Sequence, residues 1–268
     1  MPRYFATATP PAWPAAAGFR SDAQSVHGSR TTMLADLTAL LDAVPPHADH
    51  AAYGRAIQDQ NVLGKRTAST RLWAYKKLRE LYALDPEVPL FAELRARWAA
   101  GGDARPLLAL LAALARDGLL RASAPVITGA VPGAGVGHAD VQAAVVRARG
   151  ERFSDVTLKA VTSHLLTSWA DSGHLGAARP RVRTRVTATP ASVAFALALG
   201  HLAGARGAAL FETVFARVLD APAATLHAHA REASRLGWLC YRGSAEIVEV
   251  DFPHLRHHAD APAALAAP

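Results

Sequence analysis

The chemistry that this sequence offers most clearly is anion binding by arginine. In one short segment arginines recur at every second position, at Arg179, Arg181, Arg183 and Arg185. Alternate side chains of an extended strand point to the same face, so four guanidinium groups would line one side. Four like charges in a row call for a neutralising anion, and a phosphate backbone takes bidentate contacts from arginine. The alternative is a solvated edge strand whose basic residues prevent aggregation.

A second group of cations and hydroxyls surrounds the start of a predicted helix that ends near Ala83. Residues 65–82 carry six basic residues and one acid, Glu80. Hydroxyl donors and backbone N–H groups at a helix start attract phosphate. The candidate nucleic-acid contacts here are Lys65, Arg66, Thr67, Ser69, Arg71, Lys76 and Lys77. The alternative is a solvated helix face without a ligand.

The predicted helix over 154–172 is the candidate recognition helix. Ser154 is a suitable N-cap, and Gly173 follows the last turn. Apolar residues at helical spacing predict a buried stripe, and Lys159, Thr162 and Ser163 fall on other faces near the N-terminal half. Recognition helices present such residues to the major groove from that end. An ordinary amphipathic helix with a polar outer face is an equal alternative.

Motifs of several enzyme classes are missing from the sequence. Gly133, Gly135 and Gly137 lack the lysine and the spacing of a phosphate-binding or dinucleotide-binding loop. Nucleophile elbows, zinc-protease helices and clear carboxylate pairs are not found. The histidines at 254, 257 and 258 are read as a surface tail instead of metal ligands. We therefore expect a protein without catalytic residues, cofactor or metal.

The composition predicts a soluble protein that binds polyanions. The 268 residues are 51% apolar and carry a formal net charge of +7, enough for a sizeable core and a basic surface. The longest apolar runs, 106–115 and 190–202, are too short or too interrupted for a membrane span of about 20 residues. Cys240 is the single cysteine, which excludes an internal disulfide framework. We expect a cytoplasmic protein without a signal peptide or membrane insertion.

The elements that must position these residues are mostly helices. We predict a flexible N-terminal arm over 1–30, an N-terminal helical domain with a helix-turn-helix-like unit over 31–130, and a Gly-rich linker over 131–137. A C-terminal helical domain follows over 138–253, and a disordered tail over 254–268. The fold class is mainly α, a helical bundle with winged-helix-like helix-turn-helix units and short β-hairpin wings.

The C-terminal half carries the winged-helix order twice. Helices over 138–149 and 154–172 lead to the Arg-rich extended segment, which reaches residue 189. Helices over 191–204, 207–219 and 222–236 lead to a predicted hairpin. Its strands are 238–242 and 245–252, and the dipeptide Gly243-Ser244 suits a two-residue turn.

Three blocks of this chain resemble the A component of BREX phage-defence systems, the BrxA family. The first is NVLGKRTASTR at 61–71 with LDP at 84–86. The second is FSDVT at 153–157 with DSGHLG at 171–176, and the third is ASRLGWL at 233–239. Their order and spacing agree with the family over residues 30–253, whereas the Gly-rich stretch and the Pro-rich start differ from it.

The resemblance implies an all-helical protein that has been compared with the NusB antitermination fold and with helix-turn-helix modules. It implies DNA binding within a multi-gene defence island that includes a methyltransferase. The family has no accepted catalytic residues to carry over. Our leading hypothesis is a non-catalytic accessory protein that binds double-stranded DNA. The alternatives are an RNA-binding, NusB-like module and a protein scaffold that recruits other BREX components.

Overall fold

Helices make up most of the molecule, which confirms the predicted mainly α fold class. The structure, a computed structural model, describes residues 13–21, 24–150, 153–243 and 248–255. Within these ranges the α-helices are α1 (Leu34–Ala43), α2 (His50–Gln58), α3 (Ala68–Tyr82), α4 (Pro89–Gly101), α5 (Arg105–Arg116), α6 (Gly118–Gly129), α7 (His138–Arg149), α8 (Asp155–Asp171), α9 (Pro190–Leu202), α10 (Val214–Arg217) and α11 (Ala223–Arg235). An antiparallel sheet of β1 (Cys240–Gly243) and β2 (Val248–Asp251) follows α11.

Two helices without a polar face lie at the centre of the core. Every residue of α5 from Leu107 to Ala115 is buried, and so is every residue of α9 from Ala191 to Gly200. A helix that is apolar all round has to be covered by other elements. Helices α4 and α5 pack against α9, as do α10 and α11. The predicted domains 31–130 and 138–253 thus contribute to one hydrophobic core.

The segment predicted as a free linker, 131–137, is held by hydrogen bonds. The amide of Gly133 donates to the carbonyl of Arg183 over 2.8 Å, and the amide of Val136 donates to that of Arg181 over 2.9 Å. In return, the amide of Arg183 donates to the Ala134 carbonyl over 2.8 Å. This segment is a connection fixed to the residues that precede α9, and the linker prediction is wrong.

The N-terminal residues that the structure describes are packed into the core. Phe19 stacks on Trp13 and meets Phe215 edge-on, with ring centroids 5.4 and 6.1 Å apart. Val26 and His27 are buried as well. Within the predicted arm, Trp13, Phe19 and Val26 thus attach the described residues to the core. Residues 1–12 lie outside the described ranges.

The C-terminal hairpin forms with a longer connection than predicted. Cys240 pairs with Asp251 and Gly243 pairs with Val248. Gly243 is therefore a strand residue, and the two-residue turn predicted at 243–244 is wrong. Residues 244–247 lie outside the described part.

The described start of the predicted tail is attached to α4. Residues Pro253–Leu255 form a 3-10 turn, and Leu255 is buried. Nε2 of His254 lies 2.9 Å from the Oε1 atom of the buried Glu93. The prediction of disorder from residue 254 is wrong for its first two residues, and 256–268 lie outside the described ranges.

Candidate nucleic-acid interface

Helix α3 is positioned by a cap at its start and by its apolar inner face. Thr67 is the N-cap, and its Oγ1 accepts a hydrogen bond from the amide of Thr70 over 3.2 Å. The Thr70 hydroxyl in turn accepts from the Thr67 amide over 3.3 Å. This capping box satisfies backbone donors that a helix start leaves free. The inner face packs against α2 and α5 through Ala74, Leu78, Leu81 and Tyr82.

The opposite side of α3 is open to solvent and mostly basic or apolar. We call it the α3 outer face, and its exposed residues are Ser69, Leu72, Trp73, Lys76 and Arg79. Each of them lies three or four residues from another member of the set, a spacing that places them on one side of a helix. Arg66 is exposed immediately before the helix. The structure thus gathers cations, a hydroxyl and an aromatic ring on a single surface.

Charge on this surface is only partly neutralised. Nζ of Lys77 lies 3.0 Å from Oε2 of Glu80, so this predicted contact is engaged in an ion pair. Within the described residues, Arg66, Lys76 and Arg79 form no ion pair. Exposed cations without an ion-pair partner are able to bind phosphate groups.

Lys65 lines a pocket beside the start of α3. Its Nζ lies 2.7 Å from Oδ1 of Asp36, so its charge is compensated. The pocket has a volume of about 410 Å³, and Arg30, Thr70 and Asp171 also line it. Burial raises the pKa of Asp171 above its ordinary value, while the charge of Arg181 opposes that rise. The start of α3 and the end of α8 therefore meet at this pocket.

The row of four arginines is not a strand, and its side chains do not share a face. Residues 177–189 contain only single-residue bridges, at Val182 and Arg183. Arg179 and Arg185 are exposed, whereas Arg181 is half-buried and donates to the carbonyls of Gly176 and Ala177. The prediction of a strand with four arginines on one face is therefore wrong.

Arg183 is an internal residue, 2% exposed. Its guanidinium group forms an ion pair with Asp220 and donates to the carbonyl of Ile127 over 2.7 Å. Val182, which a regular strand would place on the face opposite the arginines, is 37% exposed. Arg183 does not follow the alternation because its guanidinium group is compensated by the partly buried carboxylate of Asp220 and by backbone carbonyls. The prediction that Arg183 contacts a nucleic acid is therefore wrong.

Helix α8 presents only part of its predicted polar set. Ser154 caps it as predicted, accepting from the amide of Thr157. Lys159 is exposed and Ser163 is half-buried, but Thr162 is buried and its hydroxyl donates to the carbonyl of Leu158 over 2.8 Å. The prediction that Thr162 contacts a nucleic acid is therefore wrong. Lys159 lies twelve residues before Asp171, the last residue of α8, which lines the pocket. The two residues are therefore about 18 Å apart along the helix axis.

Three buried side chains with the connectivity of a hydrolase triad escaped the sequence analysis. Nδ1 of His27 lies 2.9 Å from Oδ2 of Asp117, and Nε2 lies 2.9 Å from Oγ of Ser168. All three are fully buried, and Oγ of Ser168 also accepts from the amide of Thr32 and donates to the carbonyl of His164. A nucleophile must meet its substrate, so we assign this trio to stability. No sequence motif marks it, since the residues lie 90 and 51 positions apart.

Two comparisons with known proteins found no match. No protein-family model matches the chain, and no curated protein sequence matches it. Among the residues that the structure describes, no group of three or more His, Cys, Asp or Glu side chains is placed to hold a metal ion. The same ranges contain no helix with both the length and the apolar character needed to cross a bilayer.

Proposed function

We propose that this protein binds double-stranded DNA through the α3 outer face and acts without catalysis. The observation that carries the proposal is the set of exposed cations without ion-pair partners at Arg66, Lys76 and Arg79. From Ser69 to Arg79 the face runs about 15 Å along the helix, close to the rise of four nucleotides of one strand. Hydroxyls of Thr67 and Ser69 at the helix start add phosphate donors.

The remaining exposed candidates supplement this face. Arg179 and Arg185 flank the segment 181–183, which is hydrogen-bonded to 133–136. Lys159 and Ser163 lie on α8. Arg71 is half-buried and lies on a different side of α3, so its charge does not add to the outer face. Winged-helix-like recognition by α8 is the finer form of the proposal, in which its N-terminal half contacts a groove of the duplex.

The biological setting is proposed from the family resemblance. As an accessory protein of a BREX-type defence system, the chain would act in the cytoplasm and meet other BREX components on DNA. RNA binding in a NusB-like manner and scaffolding are the alternatives. The scaffold alternative is based on the exposed side chains of Leu72 and Trp73, because apolar surface is typical of protein interfaces. Partner capture that survives nuclease treatment would identify scaffolding.

Charge reversal tests the proposal. Binding of a labelled duplex is measured at two salt concentrations for the wild type, for K76E/R79E and for the control R147E/R231E, which makes the same charge change at exposed sites of α7 and α11. We expect the α3 variant to bind at least tenfold more weakly and with a shallower salt dependence, since each lost phosphate contact lowers the slope by about 0.9. Equal effects of both variants, or binding insensitive to salt, would refute a specific contact at α3. Structured RNA as competitor separates the RNA alternative.

A further inference from the structure

Trp73 is an exposed aromatic ring on the helix that carries the proposed contact. Its side chain is 54% exposed, whereas Trp98 and Trp169 are buried in the core. Within the described residues no other aromatic ring stacks on it. Water contact over so much of an indole is unfavourable, so a ligand that covers the ring gains free energy.

The surroundings of the ring favour a polyanionic ligand with a flat apolar part. The ammonium groups of Lys76 and Lys77 lie 5.6 and 5.9 Å from the ring centroid. Leu72, 40% exposed, is the neighbouring apolar side chain. The residues one turn earlier, Ser69 and Thr70, have short side chains that leave space beside the ring.

We propose that Trp73 stacks on an unpaired nucleobase, so that the preferred ligand is duplex DNA with a single-stranded end or gap. This inference rests on the proposed function. Bases inside a duplex are already stacked on their neighbours, and only an unpaired base offers a free face to an aromatic side chain. Lys76 and Arg79 then hold the phosphates that flank this base. A purely apolar partner surface would instead leave these cations uncompensated.

The experiment compares a blunt duplex with the same duplex extended by a four-nucleotide overhang. Affinities are measured for the wild type, Trp73→Leu and Trp73→Phe. We expect the wild type to prefer the extended duplex by about tenfold, within the range found for one stacked base. Trp73→Leu should lose this preference, and Trp73→Phe should keep most of it, because phenylalanine retains an aromatic face.

A second readout follows the base directly. With 2-aminopurine in the overhang, the wild type and Trp73→Phe should change its fluorescence, whereas Trp73→Leu should not. Equal wild-type affinity for blunt and extended duplexes would overturn base stacking, while salt-dependent binding of both would leave the proposed function intact. Base stacking would also be overturned if Trp73→Leu lost affinity equally for the blunt and the extended duplex. Absence of salt-dependent binding to either duplex would instead refute the proposed function.

Discussion

Nδ1 of His27 lies 2.9 Å from Oδ2 of Asp117, and neither side chain is exposed. The carboxylate also accepts hydrogen bonds from the amides of Val26, Leu119 and Leu120. Asp117 therefore joins the N-terminal segment to the start of α6 and serves as its N-cap. Burial by itself raises the pKa of such a carboxyl, yet His27 and the amides hold the pKa of Asp117 well below its usual value.

Substitution of Asp117 by Ala should lower the free energy of unfolding by about 3–5 kcal/mol, because it removes the N-cap of α6 and leaves the His27 ring and three backbone amides without their buried acceptor. The matched control is Asp49→Ala, which removes the exposed N-cap of α2 and should cost about 1 kcal/mol. Urea denaturation at pH 7 measures both changes. Similar costs for the two variants would contradict a special role of the buried pair.

The contribution of Asp117 should also depend on pH. A carboxyl with a lowered pKa in the folded state stabilises the protein above its unfolded pKa of about 3.9, and this stability is lost as the pH falls below that value. The difference between wild type and Asp117→Ala should therefore narrow in acid. A difference that stays constant between pH 7 and pH 3 would argue against this account.

His174 should make the fold less stable in mild acid. Burial lowers its pKa to about 4, although its contacts with Val218 and Asp220 oppose the shift. The unfolded chain takes up a proton near pH 6.5 and the folded chain does not, so stability falls between pH 6.5 and 4. From pH 7 to pH 5 the loss is about 2 kcal/mol. His174→Asn should be less stable at pH 7 but lack this part of the pH dependence.

The control for the His174 experiment is His47→Asn, which changes an exposed histidine. We expect this variant to follow the wild-type curve of unfolding free energy against pH. If His174→Asn followed the wild-type slope as well, another group would have to carry the acid sensitivity.

Arg183 should matter for stability, while Arg185 should not. Arg183→Ala leaves the carboxylate of Asp220 without its partner and should cost about 3–5 kcal/mol. Arg185 is exposed, so Arg185→Ala should change stability by less than about 0.5 kcal/mol. Thermal or urea unfolding of the two variants distinguishes them. Comparable stability of both would mean that the ion pair contributes little.

The capping box of α3 should contribute about 1 kcal/mol. Thr67→Ala removes the acceptor for the amide of Thr70, whereas Thr67→Ser keeps a hydroxyl in the same place. Unfolding midpoints should therefore fall for the alanine variant and stay near wild type for serine. A parallel loss in both would point to the β-carbon methyl of Thr67 and not to the cap.

Local signals in the sequence were sufficient for most of the helices. Helix α8 begins after Ser154 as expected from its capping residue, and α3 ends next to the predicted boundary near Ala83. Hydroxyl caps and apolar periodicity act within a few residues, so they can be recognised along the chain. The cationic outer face of α3 follows from the same periodicity.

The remaining features depend on partners that are distant in sequence. The spacing of the arginines predicted a strand, but Arg183 meets Asp220 and Ile127, residues 37 and 56 positions away. His27 likewise meets Asp117, 90 positions away. No periodicity reveals such pairs. The net charge overstated the basic surface for the same reason, because Arg95, Arg97 and Arg183 are buried.

Two sets of contacts join the N-terminal and C-terminal halves of the chain. They are the hydrogen bonds between 133–136 and 181–183 and the packing of α4 and α5 on α9. The loop at 131–135 is exposed, so a protease can reach it. Cleavage in this loop breaks the chain into two fragments that stay associated, since both contribute side chains to one core. We expect the two pieces to co-elute as a nicked complex, and to regain structure only when they are refolded together.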